Sequence, residues 1–464
     1  MINKVITFLQ ILLLIGLISC KSENNKRATY FGGKIINPKS NHVVLFSMDK
    51  AIDTFYLDKT NRFIGKLDSI DEGLYSFFHG NESQYIYLEP KDSLMLRLNT
   101  WAFDESLVFA GEGAERNNIL IDCFLEDEKE KKKFYNQNKL EPTKFKEKMD
   151  SLFVLKLKTY ITYLENHPNE TKGFSEVLKI SLTYPLLARI EKYPIMYAKY
   201  SKTRNFPELD KSFFNFRNNI KIDKDLLMYY PPYYRYVKNY LYNETYSLGH
   251  PPVKNTYSAK FTFDLLNTID KKIVSEKSRN ALLKETFISH FYNKSSCNIN
   301  KDPLNKFFEL STSEKDKKLI QKIVNDAKAV VKNQKIQDFD VIDYSDSKKS
   351  IKDIIKGKSA MLLFWNPEYY SESYIVSRVN YLSTSYPNIK FIQIKIDGND
   401  SDRIKELDIK DQFYLDENSE AQTFLTSKMP RCILVNKLGK VTNGYASFSS
   451  YNINPYLKLL NEIN

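Results

Sequence analysis

The chain is poor in cysteine and histidine, and these shortages exclude several classes of function. Only four cysteines occur in 464 residues, and no two of them form a Cys-x-x-Cys pair. The five histidines lie far apart in the sequence, so they form no metal-ligand pattern. The GxSxG, HExxH and phosphate-loop motifs of common hydrolases and nucleotide-binding enzymes are also missing. The sequence predicts no catalytic residue, no cofactor and no metal.

Basic residues are abundant but are not clustered. Lysine and arginine number 69 against 57 acidic residues, which gives a formal net charge of +12. Acidic residues are interleaved with the lysines along the chain, whereas nucleic-acid binding needs a clustered basic stripe. The composition therefore predicts a solvated surface with mild attraction to anionic head groups and no nucleic-acid partner.

The N-terminus has the pattern of a secretory signal. Lys4 gives a short positive region, residues 5–18 form an apolar run, and Leu17-Ile18-Ser19-Cys20 follows. This ending is similar to the lipobox of bacterial lipoproteins, which implies cleavage before Cys20 and acylation of that cysteine. An uncleaved transmembrane anchor is the alternative, but a spanning helix needs about 20 apolar residues and this run is shorter.

The resemblance to lipoproteins also implies a location. Residues 1–19 would be the signal peptide, residues 20–27 a polar tether, and the lipid on Cys20 would attach the chain to a membrane. The residue after Cys20 is Lys21 and not an aspartate, which resembles a signal permissive for the outer membrane of Gram-negative bacteria. We expect a lipid-anchored protein of the cell envelope, at the outer membrane rather than the inner, facing the periplasm or the cell surface.

Three patterns follow the tether. Residues 28–114 contain short apolar runs and alternations separated by turn residues, which is typical of a β-sandwich or small barrel. Residues 115–335 change to helical spacing. In residues 336–464, strands alternate with helices, which indicates an α/β unit. We predict an α+β multidomain protein with a β-sandwich-like domain, a helical middle region and a C-terminal α/β domain.

In the last region, Asn366 is a suitable helix N-cap and Pro367 suits the first helical position. The predicted order is strand 359–364, helix 367–386, strand 389–396, helix 401–407, strand 432–436, a strand from 441 and helix 454–463.

Two segments in this region resemble a known family. Met361-Leu362-Leu363-Phe364-Trp365 resembles the strand that leads into a thioredoxin active site, and residues 427–441 resemble the proline loop and hairpin of TlpA/ResA-type thioredoxin-like proteins. Residues 86–94 and 111–118 look like the β-domain that precedes such domains in many lipoproteins. The resemblance implies a thioredoxin-like fold for residues 336–464, with Pro430 in the cis form beside the active site.

The sequence departs from this family at the redox cysteines. Counted from Trp365, the two positions fall at Tyr369 and Glu372, within Tyr369-Tyr370-Ser371-Glu372, and no cysteine lies between Cys297 and Cys432. A phenol and a carboxylate cannot exchange with a disulfide, so dithiol oxidoreductase chemistry is excluded at these degenerate active-site positions.

Two further features leave alternatives open. Met429, Pro430 and Arg431 could form a groove that still binds an extended peptide, or the proline could persist because the fold needs the turn. Cys432 could be a reactive thiol, but it begins an apolar strand, where cysteine behaves as an inert hydrophobe. We expect a binding or scaffold module for an envelope protein, peptide or glycan; the alternative is an oxidoreductase-related enzyme that uses Cys432 as a single thiol.

Residues 229–246 contain eight tyrosines around Pro231-Pro232. This richness could provide a binding face for a glycan or peptide, but helix packing with the hydroxyls reaching water or backbone is the favoured interpretation.

Overall fold

The structure, a computed structural model, describes residues 28–200, 206–251, 258–295, 298–367, 369–370, 372–396, 407, 409–450 and 453–462. They divide into two compact units: residues 28–133 with 155–183, and residues 134–154 with 184–462. This division does not coincide with the predicted borders after residues 114 and 335, because three helices are each shared between the units.

The first unit contains a β-sandwich-like pair of four-stranded sheets. One sheet has the order β4-β1-β7-β8 and the other β3-β2-β5-β6; β1 and β7 are parallel, and the other neighbours are antiparallel. Alternating residues such as Phe31, Leu45 and Phe77 form the core. The strands are β1 Thr29–Ile36, β2 His42–Ser47, β3 Lys50–Tyr56, β4 Arg62–Leu67, β5 Gly73–His79, β6 Glu82–Leu88, β7 Ser93–Asn99 and β8 Val108–Glu112.

The β-sandwich-like prediction is confirmed, but strand β3 was not predicted. Only Phe55 of its seven residues is buried. An edge strand with one core residue shows no apolar alternation, so its sequence carries no strand signal.

The helical middle region is confirmed as well. Ser313, predicted as a helix start, caps α8: its side chain accepts the amide N–H of Asp316. Helices α1, α5 and α7 were not predicted. The helices are α1 Ala114–Gln137, α2 Pro142–Asn166, α3 Lys172–Tyr200, α4 Pro231–Tyr246, α5 Ala259–Lys272, α6 Glu276–His290, α7 Lys301–Leu310 and α8 Glu314–Ala329.

The tyrosine-rich segment lies in and just before α4. All eight tyrosines are buried or half-buried. The Tyr233 hydroxyl, for example, donates to the Lys221 carbonyl at 2.8 Å, and its ring stacks on Tyr184. These contacts are those of helix packing, the favoured interpretation from the sequence. None of the described helices is both apolar enough and long enough to cross a membrane.

The second unit also contains a seven-stranded sheet of order β10-β9-β13-β12-β11-β14-β15. Its strands are β9 Asp340–Ile342, β10 Lys348–Ser350, β11 Ser359–Trp365, β12 Ile389–Lys395, β13 Gln412–Tyr414, β14 Arg431–Val435 and β15 Val441–Ala446. Its helices are α9 Ile351–Ile355, α10 Glu372–Ser385 and α11 Ile453–Glu462. The predicted helix 401–407 falls almost wholly outside the described residues.

The pairing within this sheet defines its fold. Strand β11 is parallel to β12 and antiparallel to β14, and β15 is antiparallel to β14. Helix α10 connects β11 to β12, and α11 follows β15. The strand order β12-β11-β14-β15, with one helix after β11 and one after β15, is that of a thioredoxin-like fold. Both faces are apolar, with one core on each side of β11.

The predicted beginning of the helix after β11 is wrong. The helix is described from Glu372, not from Pro367. The amide N–H groups of Tyr369 and Tyr370 both donate to the carbonyl of Asn366, at 3.0 and 3.1 Å. These bonds close a separate turn before the helix. Asn366 and Pro367, predicted as the N-cap and the first helical residue, therefore belong to this turn.

Candidate functional site

The candidate site lies where a thioredoxin-like fold has its active site. Phe364 near the end of β11 pairs with Arg431 at the beginning of β14. The segment before β14, residues 424–430, which we call the proline loop, therefore arrives beside the end of β11, and α10 follows β11 along the chain. Trp365, the last residue of β11, is only 1% exposed, and its carbonyl accepts the amide N–H of Ile396. The end of β11 is therefore buried and hydrogen-bonded to the residue that follows β12.

A tyrosine and a glutamate occupy the predicted positions of the redox pair, and a second tyrosine, Tyr370, lies between them in the sequence. Tyr369 is 54% exposed, whereas Tyr370 is half-buried with its ring 5.7 Å from Phe448 and 5.6 Å from Tyr374. Burial raises the pKa of Tyr370, so its phenol remains neutral. Glu372, the second redox position, is the first residue of α10. The site has an aromatic surface in place of a dithiol.

Cys432 is the cysteine near this surface, and it is buried. It has no exposed surface and lies in β14 between Leu363 of β11 and Ala446 of β15. Burial raises the pKa of the Cys432 thiol, and this effect is larger than the opposite effect of the nearby Arg378 charge. A thiolate is the nucleophile in thiol chemistry, so this position does not favour a reactive group.

The proline loop differs from the form that the family resemblance implied. The bond between Met429 and Pro430 is trans, since the described residues contain no cis peptide, so the expectation of a cis proline is wrong. The chain instead turns at Lys428, which has a φ of +55°. The reversal that brings the chain into β14 is therefore made two residues before the proline.

A tyrosine from the helical region covers the proline loop. Tyr292 lies in the turn Phe291–Ser295 that follows α6, and its hydroxyl donates to the Pro430 carbonyl at 2.9 Å. Its oxygen is 3.5 Å from the Tyr445 hydroxyl. Burial raises the pKa of both phenols, so Tyr292 remains a neutral donor. The Pro430 carbonyl is engaged within the chain, which argues against it as a backbone contact for an extended peptide.

Arg431 is a structural residue and does not face a ligand. It is 1% exposed and donates to the carbonyls of Asp326 and Phe424 at 3.0 and 2.7 Å, while its guanidinium lies 4.7 Å from the Tyr445 ring centre. Burial lowers the pKa of Arg431 below its ordinary value. Of the predicted groove residues, Pro430 and Arg431 are buried and Met429 is half-buried.

Asp326 of α8 fixes the other end of the loop. Its carboxylate accepts the amide N–H groups of Thr426 and Ser427, both at 2.9 Å, and their hydroxyls at 2.7 and 2.5 Å. The sequence analysis missed Asp326, Tyr292 and Tyr445. The first two lie 100 or more residues before the loop, and no local spacing links them to it.

The described side chains of this site include no exposed thiol. Tyr369 and Tyr374, 54% and 36% exposed, form its accessible aromatic surface. Across the part of the chain that the structure describes, no group of three or more His, Cys, Asp or Glu residues could hold a metal ion. Cys20, the predicted lipidation site, lies outside the described residues.

Comparison with known proteins identifies structural neighbours only. No protein-family model matches the chain, and no curated protein matches it either. A thioredoxin-like protein from Bacteroides caccae is 17% identical over 58% of this chain and 93% of its own, with a TM-score of 0.29.

Two further neighbours have similar descriptions. The thioredoxin domain of a thiol-disulfide oxidoreductase from Bacteroides vulgatus is 18% identical over 28% of this chain and 98% of its own, with a TM-score of 0.23. A thiol:disulfide interchange protein from a Bacteroides species is 18% identical over 25% and 81%, with a TM-score of 0.21. The thioredoxin-like fold of this chain rests on its own strand order and pairing.

Proposed function

We propose that this chain is a lipoprotein of the cell envelope whose thioredoxin-like domain binds a partner without thiol chemistry. The observation that carries the proposal is the occupation of the two redox positions by Tyr369 and Glu372, beside a single cysteine, Cys432, that has no exposed surface. Without an accessible thiolate, the domain has no group that could attack a disulfide.

The proposed binding surface is Tyr369 with Tyr374. Both rings are exposed, and Tyr374 stacks on Tyr370, which packs on Phe448. Tyrosine is enriched at protein interfaces, because its ring gives a large contact area at low entropic cost and its hydroxyl can pair. The partner we favour is an envelope protein, since exposed tyrosine side chains suit a protein surface; a peptide or a glycan is the runner-up.

The closed proline loop supports a scaffold role for the rest of the domain. Tyr292, Asp326 and Arg431 tie the loop to the helical region through hydrogen bonds whose partners are buried or half-buried. In this arrangement the loop connects the α/β sheet to the helices of the same unit, and the partner is bound by the aromatic surface beside it.

The main experiment is capture of partners from native membranes. The protein would be purified with its envelope partners after mild crosslinking, alongside a Tyr369→Ala/Tyr374→Ala variant. Tyr456→Ala is the matched control, because Tyr456 is also exposed and lies on α11. Each interface tyrosine contributes about 1–2 kcal/mol, so the double variant should lose the partner by about tenfold or more, and the control should retain it.

Two results would contradict the proposal that Tyr369 and Tyr374 bind a partner. If the double variant and the control captured the same partner equally, the binding site would lie elsewhere. If Cys432→Ser abolished a disulfide-exchange activity of the purified protein, the single-thiol enzyme would replace the binding module.

The membrane anchor is tested separately. Cells fed an alkyne-labelled fatty acid should label the wild-type protein, and Cys20→Ser should lose the label and leave the membrane fraction. A label that persists in the Cys20→Ser variant would contradict the lipoprotein assignment. Fractionation of the wild-type protein between inner and outer membranes tests the proposed outer-membrane location.

A further inference from the structure

A second candidate site lies on the outer face of the sheet β4-β1-β7-β8, away from the sandwich core. A groove of about 820 Å³ crosses β1, β4 and β7 there, within the size range of ligand pockets, about 300–1,000 Å³. The backbone of Gly33, Phe63 and Leu96, which are paired across the three strands, lies along its floor. The groove is part of the first unit alone.

Three cations stand side by side along this groove. The pairing places Lys34 of β1 opposite Arg62 of β4 and Arg97 of β7, and all three side chains are exposed. Neighbouring strands are about 4.8 Å apart, so the row spans about 10 Å. Like charges directly opposite each other destabilise a sheet, so this row is unfavourable for folding by itself.

Among the described residues, no ion pair joins Lys34, Arg62 or Arg97 to a carboxylate at contact distance. Arg62 nonetheless acts on Asp58, because the hydrogen bond from its amide N–H, and to a smaller extent its charge, lower the pKa of that carboxyl group. Asp58 also lines the groove, but its carboxylate accepts the amide N–H groups of Thr60 and Arg62 and the Thr60 hydroxyl. The groove therefore presents three cations against one carboxylate that is already engaged by the turn around it.

The other wall of the groove is apolar. Ile64 and Met95 are paired with Gly32 from either side, and the two neighbours close over it: a Cβ there would lie 2.7 Å from the Phe63 carbonyl and 3.0 Å from the Met95 sulfur. Tyr56, 70% exposed, stands at the edge of the groove beside the cations. An exposed tyrosine ring can stack on the apolar face of a sugar ring.

We propose that this groove binds an acidic oligosaccharide, a short chain of sugar rings that carry carboxylate or sulfate groups. The cation row supplies charge-assisted hydrogen bonds to the anions, and arginine suits them best because its guanidinium binds carboxylates in a bidentate way. Tyr56, Ile64 and Met95 supply the contacts to the rings. A bilayer surface is less suited, because its flat array of head groups cannot follow a floor at backbone level.

The test uses the protein purified from membranes in a non-ionic detergent. Binding of a hexameric oligogalacturonate is measured by titration calorimetry, with its fully methyl-esterified form as the uncharged probe. We expect the acid to bind in a salt-sensitive way and the ester to bind at least about tenfold more weakly, because the ester lacks the charges that the row recognises. Equal binding of the two forms would overturn the proposal.

Matched variants locate the site. Lys34→Gln/Arg62→Gln/Arg97→Gln should weaken oligogalacturonate binding by about tenfold or more, and Tyr56→Ala should weaken it by about threefold or more. The control is Lys129→Gln/Lys132→Gln/Lys133→Gln, which removes the same charge from exposed positions on α1 of the same unit. Equal losses in the two triple variants would indicate a bulk-charge effect and overturn the proposal.

Two other probes separate competing partners. A hexaglutamate peptide that binds as tightly as the oligogalacturonate would overturn the sugar requirement. Binding only to phosphatidylglycerol vesicles, lost in the first triple variant, would replace the oligosaccharide with a lipid surface. Tyr369 and Tyr374 are unchanged in all these variants. Failure of the oligogalacturonate to bind would therefore not affect the result of the partner-capture experiment.

Discussion

At the residue scale, buried polar side chains decide the state of the proline loop. Tyr292 donates to the buried Pro430 carbonyl, and Arg431 donates to two further carbonyls. A buried carbonyl without a donor costs about 1–3 kcal/mol, so these side chains stabilise one conformation of the loop. They also make the loop part of the core and not part of an open surface.

The first prediction concerns the Tyr292 hydroxyl. Tyr292→Phe should lower the free energy of unfolding by about 1 kcal/mol, because it removes one hydrogen bond and keeps the ring. Tyr292→Ala should cost about 2–3 kcal/mol, since the contacts of the half-buried ring are also lost. Urea denaturation measures both. Tyr381→Phe, at a 58% exposed position, is the control and should leave stability unchanged; equal effects of the two Phe variants would contradict the role of Tyr292.

The second prediction concerns pH and His79, which is 1% exposed. Its Nε2 accepts the Lys39 amide N–H and its Nδ1 is 3.0 Å from the His42 carbonyl, so the ring must be neutral with the proton on Nδ1. Burial lowers the pKa of His79 below its ordinary value of 6.5. The unfolded chain therefore binds the proton more readily than the folded chain.

The sign of the pH effect follows from this difference. The stability that neutral His79 contributes is complete above about pH 6.5 and is lost as the pH falls from there through the folded pKa. His79→Gln should cost about 1–2 kcal/mol at neutral pH and should flatten the fall in stability between about pH 7 and pH 5. Urea denaturation at several pH values measures this, and an unchanged pH slope in His79→Gln would contradict it.

At the element scale, helix α8 is joined to the thioredoxin-like sheet by one carboxylate. Asp326 accepts four hydrogen bonds from Thr426 and Ser427, so the helix and the loop before β14 hold each other in place. Hydrogen bonds to a charged acceptor are stronger than those between neutral groups.

The third prediction removes this joint. Asp326→Ala should lower the free energy of unfolding by about 1–3 kcal/mol, because it removes the charged acceptor of the Thr426 and Ser427 amide N–H groups. Asn325→Ala, one residue earlier on the exposed side of α8, should change it by less than about 0.5 kcal/mol. Hydrogen exchange at Thr426 and Ser427 should be faster only in Asp326→Ala, and unchanged exchange there would contradict the joint.

At the scale of the whole molecule, the two cysteines that the structure describes form no disulfide. Cys123 belongs to the first unit and Cys432 to the second, and both are free and buried. Free cysteine in a core behaves as a small hydrophobe. The described part of the chain is thus stabilised by its apolar cores and hydrogen bonds and not by a disulfide.

The fourth prediction follows from this arrangement. The thermal midpoint of unfolding should change by less than about 1 °C when a thiol reductant is added, since no described disulfide would be reduced. The same measurement on Cys297→Ser is the control, because this variant leaves Cys123 and Cys432 as the only two cysteines after Cys20. A fall of several degrees on reduction of this variant would contradict the free state of both thiols.

Local patterns were sufficient for much of the fold. Apolar alternation gave seven of the strands in the β-sandwich, and the Ser313 cap gave the beginning of α8. Strand β3 was missed because it buries one residue, and the beginning of α10 was misplaced because Asn366 closes a turn with Tyr369 and Tyr370. In both cases the outcome depended on neighbours that a short window of sequence does not contain.

The sequence by itself determined the fold class, because the fold class depends on residue identity and local period. Only the tertiary structure decided that the proline loop is closed, since Tyr292 and Asp326 reach it from 138 and 100 residues away. It also decided that Lys34, Arg62 and Arg97 form one row, because strand pairing brings together residues that are unrelated in sequence spacing. Contacts between distant segments depend on packing and register, and a single linear pattern does not encode them.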